Sequence, residues 1–342
     1  MHDKCKNLAH ARLLQTPDKI FKIQTEDDYI NPLFYFKYTG DGISSKRFLL
    51  LHGWLDTPNT YLCGKNFCKF LQELGDVYIM GFRGNTYTLE YVSKVHKTFD
   101  RNDQKYWDYS CMDMLYDVNA CVDFISNEYP LYLVGHSLGG ALILQLLVHH
   151  SKECISSIRS AIVLAPAGLH DNMSCIPYAF GFIVYMWMCI YDNIKKRTGK
   201  TSNVHLCGLN LISQITKLMN KSKHINKYIN DNTRETFISL LDDKTVKFLL
   251  GGTTSIQMKS GLDIIHNSDK FISQYKQISI PVLLVAGRYD KTVNHKDVYN
   301  QYLQIKENSP NCKYYICEKS GHTCATLCKD KGLLKLVKEI TL

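Results

Sequence analysis

Short apolar runs recur along the chain, and most are followed by a segment whose apolar positions repeat every three or four residues. Runs of the first kind suit strands in a covered sheet and the second kind suit amphipathic helices. Ile20–Gln24 and Leu33–Tyr38 read as two strands joined by the polar turn Thr25–Tyr29. Phe48–Leu51 is a continuous apolar strand, helical spacing follows over 61–74, and Val77–Met80 is the next strand. The spacing of Met112, Leu115, Val118, Val122 and Ile125 predicts a helix from Asp108 to Ser126. Leu131–Val134, a helix from Ala141 onward and the strand Ala161–Leu164 continue the alternation. It resumes at Ser279–Val285 and Lys313–Cys317 and closes with a helix over about Cys324 to Ile340. Strands alternating with helices imply an α/β fold with a mostly parallel sheet flanked by helices.

The interruption over 168–275 has another character and is expected to be a largely helical cap, inserted after the sixth strand. The catalytic domain is then 1–167 with 276–342. Cys175–Tyr191 has no charged residue and is rich in Phe, Tyr, Met and Trp. Asn193–Asn230 carries eight basic residues, Lys195, Lys196 and Arg197 among them, and no acid. As a helix, 175–191 would be ~25 Å long, short for the ~30 Å hydrocarbon core. Segment 175–200 is therefore expected either to lie on an anionic membrane or lipid-droplet surface or to form a lid or pocket wall.

Between the strand ending at Gly135 and the following helix stands Gly135-His136-Ser137-Leu138-Gly139. A serine flanked by glycines in a strand–turn–helix context reads as a nucleophile elbow, with Gly135, His136 and Gly139 shaping the turn. A serine hydroxyl needs a base to take its proton and a carboxylate to orient that base. Downstream, Asp290 follows one predicted strand and His322 the next, in the order Ser, acid, His of α/β-hydrolases. Ser137 is thus the expected nucleophile, His322 the general base and then acid, and Asp290 the orienting carboxylate; Asp263 is a poorer substitute for the last. The oxyanion donors expected are the backbone N–H groups of Leu138 and of Trp54, which follows the strand ending at Leu51. The Trp54 side chain is expected to line the acyl pocket.

Composition narrows the partners rather than the fold. The chain has 342 residues, 45% hydrophobic and 21% charged, with a formal charge of +9. Its thirteen cysteines show no framework spacing, and Met1–Asn7 leads into no apolar leader segment. Reduced thiols and a cytoplasmic location, free or peripheral on a membrane or lipid droplet, are the expectation. His322, Cys324 and Cys328 lack a fourth ligand at finger spacing, and no phosphate-binding glycine loop occurs, so neither metal nor other cofactor is expected. No recognition motif accompanies the basic residues, which argues against a nucleic-acid partner. Oligomeric state is not legible.

The surrounding residues resemble the acid lipase family of gastric and lysosomal lipases and steryl ester hydrolases. The resemblance runs through Thr25–Ile30, Leu50–Gly53 and Arg83–Tyr87. It is densest at Tyr106-Trp107-Asp108-Tyr109-Ser110, Met114, Tyr116-Asp117, Ala120 and Asp123–Ile125, and continues at Gly135–Ser137 and Leu164–Ala167. Leu138 stands where that family usually has glutamine, and the insert 168–275 is not matched. The resemblance implies a serine lipase acting on long-chain acyl esters such as triacylglycerol, partial glycerides or steryl esters. With no leader or placed disulfide, it points to an intracellular lipid hydrolase. A lysophospholipase, thioesterase or acyltransferase with the same triad is the alternative; an inert lipid-binding scaffold is a further one.

Overall fold

The computed structural model describes residues 13–83, 109–168, 273–322 and 330–342, apart from 43, 55, 63–66, 127–128, 150–155 and 291, and the isolated Met186. Eight strands form one sheet: β1 (Lys19–Gln24), β2 (Ile30–Phe36), β3 (Arg47–Leu51), β4 (Asp76–Met80), β5 (Leu131–His136), β6 (Ile158–Leu164), β7 (Val282–Gly287) and β8 (Lys313–Cys317). Their spatial order is β1-β2-β4-β3-β5-β6-β7-β8. The hairpin β1–β2 and the β2–β4 pair are antiparallel, and every pair from β4 to β8 is parallel. The described helices are α1 (Phe67–Gln72), α2 (Met114–Ile125), α3 (Leu138–His149), α4 (His295–Lys306) and α5 (Lys331–Ile340).

Alternation along the strands divides the core into two layers. Leu49, Leu51, Leu133, Val163 and Leu284 point to one face, where Val118 and Val122 of α2, Leu142 and Leu146 of α3, and Val298 of α4 cover them. Phe48, Leu50, Tyr132, Val134, Ile162 and Val285 point to the other, under Leu71 of α1 and Leu333 and Val337 of α5. Both faces are therefore dry, which is why these strands read as unbroken apolar runs.

Three expectations change in detail. The helix expected from Asp108 begins at Met114, because Ser110 and Asp113 exchange bonds that compete with helical ones. The Ser110 N–H donates to Asp113 Oδ2 at 2.6 Å and the Asp113 N–H to Ser110 Oγ at 3.2 Å. The run over 61–74 divides into a 3-10 turn, Pro58–Tyr61, and α1. The last helix begins at Lys331, where Asp330 caps the N–H groups of Gly332 and Leu333 at 2.9 and 3.1 Å. Helix α4 was not foreseen: its buried face mixes Val298 and Ile305 with Asp297 and Gln301, so it carries little apolar periodicity. The expected cap, 168–275, lies almost wholly outside the described residues, as do Asp263, Cys324 and Cys328.

One buried ion cluster ties the antiparallel end to the parallel part. Arg83, just past β4, is 2% exposed. Its guanidinium bonds Asp27 through Nη1 at 2.5 Å and Nη2 at 2.8 Å, and Asp117 through Nε at 2.9 Å and Nη2 at 2.7 Å. The Tyr29 ring lies 4.0 Å from the guanidinium carbon, and the Tyr109 hydroxyl donates to the Arg83 carbonyl. Burial opposes the Asp27 charge, but Arg83 and Thr25 outweigh it and hold this carboxyl below its ordinary range. Thr25–Tyr29, Arg83, Tyr109 and Asp117 come from separate stretches that carry the family resemblance, and here they meet.

Candidate active site

At the C-terminal edge of the parallel strands the chain turns from β5 into α3 through Ser137, whose φ of 52° lies in the left-handed region. A non-glycine residue there costs about 1–3 kcal/mol unless its surroundings fix it. They do. The Ser137 N–H donates to Leu164 O at 2.9 Å, and its carbonyl accepts from Ala141 at 3.0 Å and Ala167 at 3.2 Å. The flanking glycines are required by space. A Cβ on Gly135 would lie 2.5 Å from the Gly139 carbonyl oxygen, and one on Gly139 would lie 2.7 Å from that of His52.

His322 reaches the same point from the loop after β8. Its Nε2 lies 3.0 Å from Ser137 Oγ and its Nδ1 2.8 Å from Asp290 Oδ2. Asp290, 5% exposed on the loop after β7, has its other oxygen held by the N–H groups of Thr292 at 2.8 Å and Val293 at 2.9 Å. Burial pushes the His322 imidazole down, but the charge and hydrogen bond of Asp290, with the charge of Asp56, hold it above the ordinary histidine value. The two loops are also joined directly: Tyr289 N–H donates to Ser320 O at 2.9 Å, and Arg288 pairs with Glu318 at 2.6 and 2.9 Å. Three side chains separated by up to 185 positions in sequence thus form one hydrogen-bonded line.

Leu138 opens α3, so its N–H has no acceptor within the helix and stands beside the serine. Trp54 lies in the turn after β3, next to Gly53, whose added Cβ would come 3.3 Å from Ser137 Cβ. Its side chain is 38% exposed, so it is not a core tryptophan. His136 is buried at 2% and its Nε2–H donates to the His322 carbonyl at 2.9 Å. Beyond the place of His136 in the elbow motif, no local pattern signals this contact. Asp56 lies near the same point, and its position a few residues past a buried strand is the one signal for it in the sequence.

The mostly parallel sheet, the strained serine turn and the loops carrying acid and histidine define the class as an α/β-hydrolase. Residues 46–325 match the family described as serine aminopeptidase, S33 (Hydrolase_4), and the chain belongs to that family. Among curated proteins it is similar to lipase member N of Mus musculus, 23% identical over 271 residues covering 70% of this chain and 63% of that protein. It is 31% identical to lipase member N of Homo sapiens over 136 residues, 36% of this chain and 33% of that protein. The chain thus spans less than two thirds of the length of these relatives. Their lipase names bear out the family resemblance read from the sequence. An esterase of Exiguobacterium antarcticum shares the fold with a TM-score of 0.59 at 15% identity, covering 94% of this chain and 99% of that one.

Proposed function

We propose that this chain is a lipase-type serine ester hydrolase that cleaves long-chain acyl esters, such as triacylglycerols, partial glycerides or steryl esters, through an acyl-enzyme on Ser137. The observation that carries the reading is the line Asp290–His322–Ser137, joined at 2.8 and 3.0 Å. Ser137 Oγ attacks the ester carbonyl as its proton passes to His322 Nε2. The tetrahedral oxyanion is received by the N–H groups of Leu138 and Trp54. The imidazolium then gives its proton to the leaving alcohol. Water, deprotonated by His322, attacks the acyl-enzyme and releases the fatty acid and Ser137. Asp290 keeps Nδ1 protonated, so that Nε2 presents its lone pair to the serine.

The lipase relatives support a lipid ester as the substrate class. The uncharged aromatic stretch Cys175–Tyr191 and the basic segment after it support docking of 175–200 at an anionic lipid surface. No helix among the described residues is long and apolar enough to cross a membrane.

The test is labelling with a fluorophosphonate probe, expected for the native chain and lost in Ser137→Ala. A panel of tri-, di- and monoglycerides, steryl esters, lysophospholipids and thioesters then ranks the headgroups. Turnover undiminished by Ser137→Ala would overturn the mechanism, and turnover confined to lysophospholipids or thioesters would overturn the substrate class. Docking is read from co-sedimentation with anionic liposomes, expected to weaken with salt and on neutralising Lys195, Lys196 and Arg197.

A further inference from the structure

Behind the Ser137–His322 pair lies a second imidazole and a second carboxylate for which a Ser–His–Asp mechanism has no use. A carbonyl only accepts, so the bond from His136 to the main chain of His322 places the proton on His136 Nε2. The opposite nitrogen, Nδ1, is buried without a hydrogen-bond partner and faces Asp56 Oδ2 at 3.8 Å. That is beyond hydrogen-bond length but well within reach of a charge. Asp56 is held in turn by the N–H of Thr57 at 2.7 Å and by the Thr60 hydroxyl, both on its Oδ1. Gly53 fills the space between: a Cβ there would lie 3.2 Å from His136 Nδ1, 3.3 Å from Ser137 Cβ and 3.7 Å from Asp56 Oδ2. The rings of His136 and His322 are 4.8 Å apart. The loops after β3, β5 and β8 therefore meet at this pair.

We propose that His136 and Asp56 are positioning residues for His322: His136 anchors its main chain, and the Asp56 carboxylate supplies a second negative charge favouring the imidazolium formed when His322 takes the serine proton. The inference rests on the hydrolase reading above. Among the described residues, the ionisable groups facing His322 are Asp290 from the loop after β7, Asp56 from the loop after β3, and His136 on β5. His52, beside Asp56, is pushed below its ordinary value by burial and adds no positive charge near neutral pH. Asp56 acts in the same direction as Asp290 on His322, against the effect of burial.

The experiment compares Asp56→Asn, His136→Ala and His136→Gln with the native chain on a soluble p-nitrophenyl ester across pH, with circular dichroism and fluorophosphonate labelling alongside. Asp56→Asn keeps an oxygen for Thr57 and Thr60 but removes the charge, so the acid limb of kcat/KM is expected to move to lower pH. A merely structural aspartate would leave that limb in place. His136→Ala is expected to lower kcat about 10- to 100-fold with little change in KM, through misplacement of the base. His136→Gln, whose amide can donate to the same carbonyl, is expected to restore most of it. An unmoved acid limb in Asp56→Asn overturns the electrostatic role, also where His136→Ala does not fold. A His136→Gln variant as impaired as His136→Ala overturns the anchoring role. If the native chain takes no fluorophosphonate label, the hydrolase reading itself fails; labelling lost in Ser137→Ala, together with an unmoved limb, removes this inference alone.

Discussion

Replacing Asp290 by asparagine tests the proposed mechanism through a constraint specific to this fold. In the native chain Asp290 Oδ1 accepts from two backbone N–H groups, Thr292 at 2.8 Å and Val293 at 2.9 Å, while Oδ2 faces His322 Nδ1 at 2.8 Å. An amide at this position must keep its oxygen on the two N–H groups, since turning it would set its NH2 against both donors. Its NH2 therefore faces Nδ1, which must then be the acceptor, and the proton of His322 moves to Nε2. In that tautomer Nε2 donates to Ser137 Oγ and cannot take its proton. Two retained bonds at about 1 kcal/mol each, and the cost of burying unsatisfied donors, oppose the flip. The expected loss is about 10³- to 10⁴-fold in kcat, or about 4–5.5 kcal/mol of barrier. The assay is initial-rate hydrolysis of a soluble p-nitrophenyl ester at saturation, with circular dichroism and thermal melting to show that the loop is intact. A folded Asp290→Asn variant within tenfold of native kcat would refute the reasoning.

Three further outcomes follow from the same geometry. Because His322 is held above its ordinary value of 6.5 and must be neutral to act, kcat/KM is expected to rise with pH through an acid limb above 6.5; a limb below it, read from a pH–rate profile, would contradict the assigned environment. Asp117→Ala leaves a buried guanidinium with one carboxylate fewer and is expected to cost about 3–5 kcal/mol in chemical denaturation, whereas a neutral result would remove the Arg83–Asp117 pair as a stabilising link between β4 and α2. Gly135→Ala forces a methyl against the backbone of Gly139 and Gly140, at 2.5 and 2.6 Å. It is expected to cost about 1–3 kcal/mol in the same measurement, and native stability would show that the elbow yields.

Much of the candidate site was legible because its residues sit in local motifs. Gly135 is demanded by the backbone of Gly139 and Gly140 in the same turn and Gly139 by that of Leu51 and His52 at the end of β3, while Asp290 and His322 each follow an apolar strand that declares itself. Helix α4 was not legible, since buried Asp297 and Gln301 interrupt its apolar face; Gln301 donates to Pro166 O, a partner 135 positions away. Arg83, Asp27 and Asp117 each look like surface charges in sequence, and only folding buries Arg83 with Asp117 and brings Asp27 against them.

The order of apolar runs by itself determined that this chain builds a covered, mostly parallel sheet, because strands buried on both faces can contain little else. The spacing of glycines and of the acid and histidine placed a serine elbow on that sheet, because the turn and proton transfer admit few residue types. What only the tertiary structure decided is which polar groups meet across the strand ends. Whether His136 faces His322 or Asp56 lies behind them depends on three loops converging over distances of 80 to 186 positions, and no local pattern encodes such a distance.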